Sequence, residues 1–274
     1  MTTSAPGALH LKLSAAELCV LLTAISVDPQ PFIDGSDLIS LNRTHLFQRL
    51  SAAREGLLLR KLAKVQPDDS LAVADPTRDL LLKSAQPKAG FQLFHARAGA
   101  IPQRILFSVT NTGTVMHRIK GIVEHLIQPL PLADPSAIVE AVLKLSAPPA
   151  PASRATPKTY SVPHQVMAAL AGTPPKPNPE LLPLLTGAGL SATDAEALLS
   201  AGTQPTQQTV FTAIAARGGQ IGSGGAMWFA DAKSAWLFSD FNQGGQVTVQ
   251  RATNAAVREA INALITEALG SPGR

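Results

Sequence analysis

Glycines, histidines, one cysteine and a run of arginines are the groups in this chain whose type and spacing bear on chemistry. The glycines cluster as GGQIGSGGA from Gly218. A phosphate cradle needs a strand before such a run, a helix after it, and often a Lys-Ser/Thr pair. Here the strand-like AMWFAD follows and no such pair is present. The dinucleotide fingerprint spacing is also missing, so the run reads as a long, mobile hairpin loop of the kind that serves partner recognition. Gly222-Ser223-Gly224 is no nucleophile elbow, because it sits between strands rather than between a strand and a helix.

His95, His117 and His125 fall on three neighbouring strand candidates. No His-x-x-x-His pair lies on a helix and no cysteine joins them, so a metal site is not indicated. They are expected to be surface or partly buried imidazoles. Carboxylates are few and scattered, and no general acid–base pair emerges. The lone Cys19 lies in an apolar helical run and is expected to be a buried, inert thiol. The reading is therefore of a non-enzyme with no catalytic residue, no metal and no cofactor.

Arg43, Arg49, Arg54, Arg60, Lys61 and Lys64 face only one interspersed acid, Glu55. This supports an alternative reading of the Arg43–Lys64 stretch as part of a winged-helix DNA-binding regulator. Thr44–Leu59 would be the recognition helix and 62–74 the wing, holding phosphates through Arg and Lys. Against it, LLLRKLAKV is too apolar to lie wholly at a surface, and Asp68, Asp69, Asp75 and Asp79 repel phosphate. Net charge is only +4, from 23 basic and 19 acidic residues, so nucleic acid is disfavoured as a partner.

Met227, Trp228, Phe229, Trp236 and Phe238 concentrate the bulky residues of the second half in one hairpin. Core packing is their first expectation. Trp and Met are also enriched at interfaces, and alternation sends neighbours to opposite sheet faces. Together with Gly222 and Gly224 they form the candidate partner-binding set.

The elements that position these groups follow from pattern. Ser14 with Glu17 three residues on is a capping box, opening a helix through Leu18, Leu21, Leu22 and Ile25. Asn42 or Thr44 starts a second helix, which Gly56 is expected to divide. Pro67-Asp68-Asp69 marks a turn, and Pro76 opens a third helix. Residues 1–13 read as a loose tail or a first edge strand, with ALHLKL alternating weakly. Asn111-Thr112-Gly113 joins two β-rich runs, as a three-residue bulged hairpin. Asp134-Pro135 caps a helix with Ile138, Val142 and Leu145 inward. After it, residues 146–160 form a Pro/Ala-rich connector that is neither helix nor central strand. Short helices are expected at 165–170 and 179–185. Ser191 caps another, and the last helix runs over 253–269.

Four strands and a helix over 91–145 and again over 207–268 suggest a duplicated α+β unit about a pseudo-twofold axis. The expected domains are 1–145, the linker 146–160, and 161–274. Hydrophobic residues make up 45% of the 274, ample for a core, while the charged fraction is 15% against roughly 25% in ordinary domains. So sparsely charged a surface favours company. No run of 18 apolar residues exists and Glu17 interrupts the first apolar stretch, so neither a membrane span nor a signal peptide is expected. A cytoplasmic location follows as an expectation.

LSAAELCVLL, REGLL, AMWFADAKSAWLFSD and GGQVTVQRATNAAVREAINALI together resemble the EspG family of type VII (ESX) secretion-associated chaperones. The resemblance covers nearly the whole chain and involves no chemical motif. It implies a cytosolic binding protein without cofactor, holding a helical secreted client of the PE–PPE type by its hydrophobic tip. The Pro/Ala connector and the aromatic-poor composition depart from the family pattern.

Overall fold

The computed structural model describes residues 9–27, 38, 41–120, 124–130, 136–149, 158–172, 180–217, 220–240 and 245–270. The class is α+β, as expected, with all described strand pairings antiparallel. Two compact units are present, 1–90 with 103–137, and 91–102 with 138–274.

In the first unit, β1 (Leu11–Ser14) leads directly into α1 (Ala15–Ala24). The junction is the expected capping box: Glu17 N–H donates to Ser14 Oγ at 3.2 Å, and Ser14 N–H donates to Glu17 Oε2 at 2.8 Å. Ser14→Ala removes one arm of it and is expected to lower stability by about 1 kcal/mol, read from the midpoint of urea unfolding. Asn42 caps α2 (Arg43–Leu59), which runs unbroken through Gly56 rather than dividing there. A hairpin of β2 (Ala63–Val65) and β3 (Leu71–Val73) follows, then α3 (Asp75–Ala85) with Pro76 in its first turn.

The sheet of this unit is built from β5 (Gln103–Thr110), β6 (Gly113–Lys120), β7 (Glu124–Pro129) and, at the edge, β1 on β7. Thr110 pairs with Gly113, so the turn holds two residues and not the expected three. Leu11, Leu13, Val115 and Ile127 on one face meet Leu18, Leu21, Leu22, Leu57, Leu80 and Leu81 of the helices. The capping pair Asp134-Pro135 lies outside the described residues.

In the second unit, β4 (Ala89–Arg97) neighbours β9 (Gln207–Arg217). Next to β9 come β10 (Gln220–Ala230), β11 (Ala235–Ser239), β12 (Gln246–Arg251) and β8 (Thr159–Pro163). The helices are α4 (Ser136–Ser146), α5 (His164–Gly172), α6 (Leu181–Gly187), α7 (Ala192–Thr203) and α8 (Asn254–Leu269). Ser191 and Thr253 cap α7 and α8 as their sequence positions suggest. In chain order β4–β7 precede α4 and β9–β12 precede α8; β8 pairs with β12, and β1 pairs with β7.

The division between the units falls differently from the expected break at 145. Residues 91–102 and 138–145 belong with the second unit. The physical reason is packing. The Phe91 ring stacks on Phe211 with centroids 5.7 Å apart, and the Ser146 carbonyl accepts hydrogen bonds from Trp228 and Gln207. Of the expected linker 146–160, residues 150–157 lie outside the described set, and 159–160 already belong to β8.

Candidate functional site

The glycine-rich run is strand, which corrects the mobile-loop expectation. Residues 220–226 continue β10 and pair in register with 211–217, leaving two residues, 218–219, between the strands and outside the described set. Gly222 stands opposite Ala215 and Gly224 opposite Ala213. A Cβ on Gly224 would stand 3.0 Å from Leu264 Cδ2 of α8, so the glycine here serves close helix-on-sheet approach rather than a turn. Among the described residues, β11 pairs with β10 only from Met227 to Ala230.

The bulky residues are all buried: Met227, Trp228, Phe229, Trp236 and Phe238 are each at most 5% exposed. The expectation that some of them await a partner is therefore replaced by a core on each sheet face. Met227, Phe229, Trp236 and Phe238 pack with Val162, Val166, Leu181, Leu185 and Leu198 under α5–α7. On the opposite side of β10, Trp228 donates its indole N–H to the Ser146 carbonyl at 2.8 Å. Val257, Ile261 and Ile265 of α8 are buried as well, and α8 packs against β9, β10 and β11. Trp236 carries Arg251 over its ring at 4.0 Å, and Arg251 Nη2 in turn reaches Asp194 Oδ1 at 2.7 Å. Asp194 is held below the usual carboxylate range by hydrogen bonds from Arg251 and Ser191, against the opposing effect of burial. These five residues make the frame of the second unit.

The histidines do not gather into one site. His95 is buried and its Nδ1 lies 2.8 Å from Thr209 Oγ1. His117 and His125 meet each other, with Nε2 of the first 2.9 Å from Nδ1 of the second. Both are buried rather than surface groups, at 1% and 0% exposure. One of the two facing nitrogens must carry the hydrogen and the other a lone pair, a geometry that neutral rings satisfy. Burial, and then the neighbouring His125, push His117 down to about 3. Among the described residues no group of three potential ligands could hold a metal. Cys19 is exposed, contrary to expectation, because Leu18, Leu21 and Leu22 occupy the core side of α1.

The basic run divides. Arg54 is clamped to Asp69, with Nη2 to Oδ1 at 2.6 Å, and this pairing pushes its guanidinium up while holding the Asp69 carboxyl down. Arg60 reaches Glu17 at 2.9 Å and the Lys12 carbonyl at 2.7 Å. The helix and hairpin of the winged-helix alternative exist at α2 and β2–β3. Two of the arginines it needs for phosphate are nevertheless fastened within the fold. The contacts of Arg54 and Arg60 are the part that sequence reasoning missed, since both acceptors are distant in the chain.

No family model matches the chain, and no curated protein matches it in sequence. Among solved structures, it is similar to the Mycobacterium tuberculosis type VII secretion system chaperone EspG5, solved in complex with the PE25-PPE41 dimer. The TM-score is 0.69 at 14% identity, covering 97% of this chain and 99% of that one. The chain therefore has an EspG-like fold. Among the described residues, no helix is long and apolar enough to cross a membrane.

Proposed function

We propose that this chain is a non-enzymatic binding protein, a chaperone or adaptor for helical clients of type VII secretion of the PE–PPE kind. The observation that carries the reading is a fold shared over nearly the full length with EspG5, a chaperone solved with a PE–PPE dimer. Burial of a client's apolar tip supplies the affinity, at about 25 cal/mol per Å² before association costs are met. The buried hairpin residues Met227, Trp228, Phe229, Trp236 and Phe238 serve as a rigid frame. Gly222 and Gly224, on β10 outside its described pairing with β11, are the contact candidates. A duplicated architecture about a twofold axis belongs to the same proposal.

Co-expression with a PE–PPE pair such as PE25-PPE41 tests it. The expected result is a complex that survives size-exclusion chromatography and keeps the client soluble. Clients that run alone, and are equally soluble without this chain, would overturn the reading. The DNA-binding alternative fits less well, because Asp69 and Glu17 hold Arg54 and Arg60. A salt titration with duplex DNA is expected to show no measurable specific affinity. Tight binding with a steep salt slope would favour the regulator instead.

A further inference from the structure

Three strands of the first unit's sheet, β1, β7 and β6, have one face packed under helices and an opposite face that is only partly buried, while on β5 alongside them Ile105 and Phe107 of that opposite face are buried. Burial alternates along β1, with Leu11 and Leu13 in and Lys12 and Ser14 out. It alternates again along β7, with His125 and Ile127 in and Glu124, Leu126 and Gln128 half-buried on the other side. On β6, Val115, His117 and Ile119 point in, while Met116 and Arg118 are half-buried and Lys120 is exposed. Strand register arranges the outward residues in rows. Lys12, Leu126 and Arg118 stand side by side across the three strands, and Ser14, Glu124 and Lys120 form the next row. Gln128 and Met116 form the third, with His10 bonded to Gln128 at 3.0 Å.

An apolar centre, Leu126 with Met116, is thus flanked by cations on both sides. Lys12, Arg118 and Lys120 surround one carboxylate, Glu124, which pairs with Lys12 at 2.9 Å. The Lys12 hydrogen bond and the charges of all three cations hold Glu124 low, and three cations face this one carboxylate. Arg118 donates one Nη to Gln103 at 2.8 Å, and its Nε is buried with no acceptor among the described residues. Three strands spaced about 4.8 Å apart span roughly 10–14 Å, which is the diameter of one α-helix with its side chains.

We propose that this face of β1, β7 and β6 docks an acidic amphipathic helix of a partner protein. The apolar stripe of the helix lies on Leu126 and Met116. Its carboxylates reach Lys12 on one flank and Arg118 and Lys120 on the other. The proposal rests on the reading of this chain as a client-binding protein and names the chemistry of the client surface at one face. It adds a charged contact to the burial of an apolar tip.

The test uses the full chain and a synthetic helical peptide of about 18 residues, roughly five turns. The peptide carries a leucine stripe bordered by glutamates, and its control carries lysines in their place. Amide chemical-shift mapping is expected to show saturable binding of the acidic peptide at β1, β6 and β7. The affinity should fall at least tenfold in the double variant Lys12→Glu and Lys120→Glu, persist in Lys12→Arg with Lys120→Arg, and weaken as salt rises. Both lysines are exposed, and thermal melts check that the variants fold. Equal binding of the two peptides, shifts confined to other strands, or indifference to charge reversal would sink the proposal. So would adsorption to phosphatidylglycerol vesicles with no binding of the acidic peptide, because the face would then meet a lipid surface. The peptide result stands whether or not the co-expression experiment yields a complex, so the two readings fail separately.

Discussion

Trp228→Ala is expected to lower the stability of the second unit by about 3–5 kcal/mol, the range for emptying a buried Trp site. The indole is 0% exposed, sits in the middle of a two-sided core, and donates its N–H to the Ser146 carbonyl. Truncation opens a cavity on one face of β10 and removes a tie between that strand and the end of α4. The carbonyl keeps its second donor, Gln207 Nε2 at 2.9 Å, so the effect is chiefly lost packing. A domain stabilised by about 5–15 kcal/mol sits near its threshold after such a loss. Chemical denaturation followed by far-UV circular dichroism measures it, and Trp228→Phe should recover more than half of the deficit. A loss below about 1 kcal/mol for the alanine variant would contradict the packing described here.

Mild acid should destabilise the first unit through His117. Above about pH 6.5 the ring is neutral in folded and unfolded chains alike, and its burial carries no protonation cost. Below that value the unfolded ring takes up a proton, whereas the folded ring does not until about 3. The unfolded state therefore binds more protons across this window, and stability falls as pH falls. The slope is about 1.4 kcal/mol per pH unit, or about 2 kcal/mol by pH 5. His95, in the second unit, is also pushed down by burial and gives that unit a slope of the same sign. His117→Gln keeps a donor toward His125 and has no proton to gain. Its unfolding free energy, measured from pH 7 to pH 5, should be flatter than that of the parent. Parallel profiles would show that the histidine pair does not set the slope.

Local signals were the legible part of this fold. Ser14 with Glu17, Asn42, Ser191 and Thr253 cap the helices that their positions suggest, because a cap is decided within three or four residues. The proline at the start of α3 is equally local. Glycines misled at 220–226, where small side chains read as a loop. The strand arises from pairing with β9 and from the need for close approach at Leu264, neither of which is a neighbour in sequence.

Alternation showed that Met227, Phe229 and Trp228 point to different sides. It carried no information on whether one side or both are covered. In the second unit α5–α7 and α8 cover both, while among the described residues β1, β6 and β7 of the first unit leave one side only partly buried. The His117–His125 contact depends on β6–β7 register, which places Ile119 opposite His125 and His117 opposite Ile127. Spacing along the chain had no way to foretell it.

The assignment of 91–102 to the second unit has a consequence for how the chain is made. β4 leaves the ribosome roughly 110 residues before its neighbour β9. At ordinary elongation rates that gap lasts roughly 5–20 s. Phe91 and Leu93, buried in the finished molecule, spend that interval without β9 beside them. Cutting the gene at the Pro/Ala segment would make the delay permanent: an amino-terminal fragment keeps β4 without β9, and the remainder lacks β4. Such halves should be insoluble alone and recover when synthesised together.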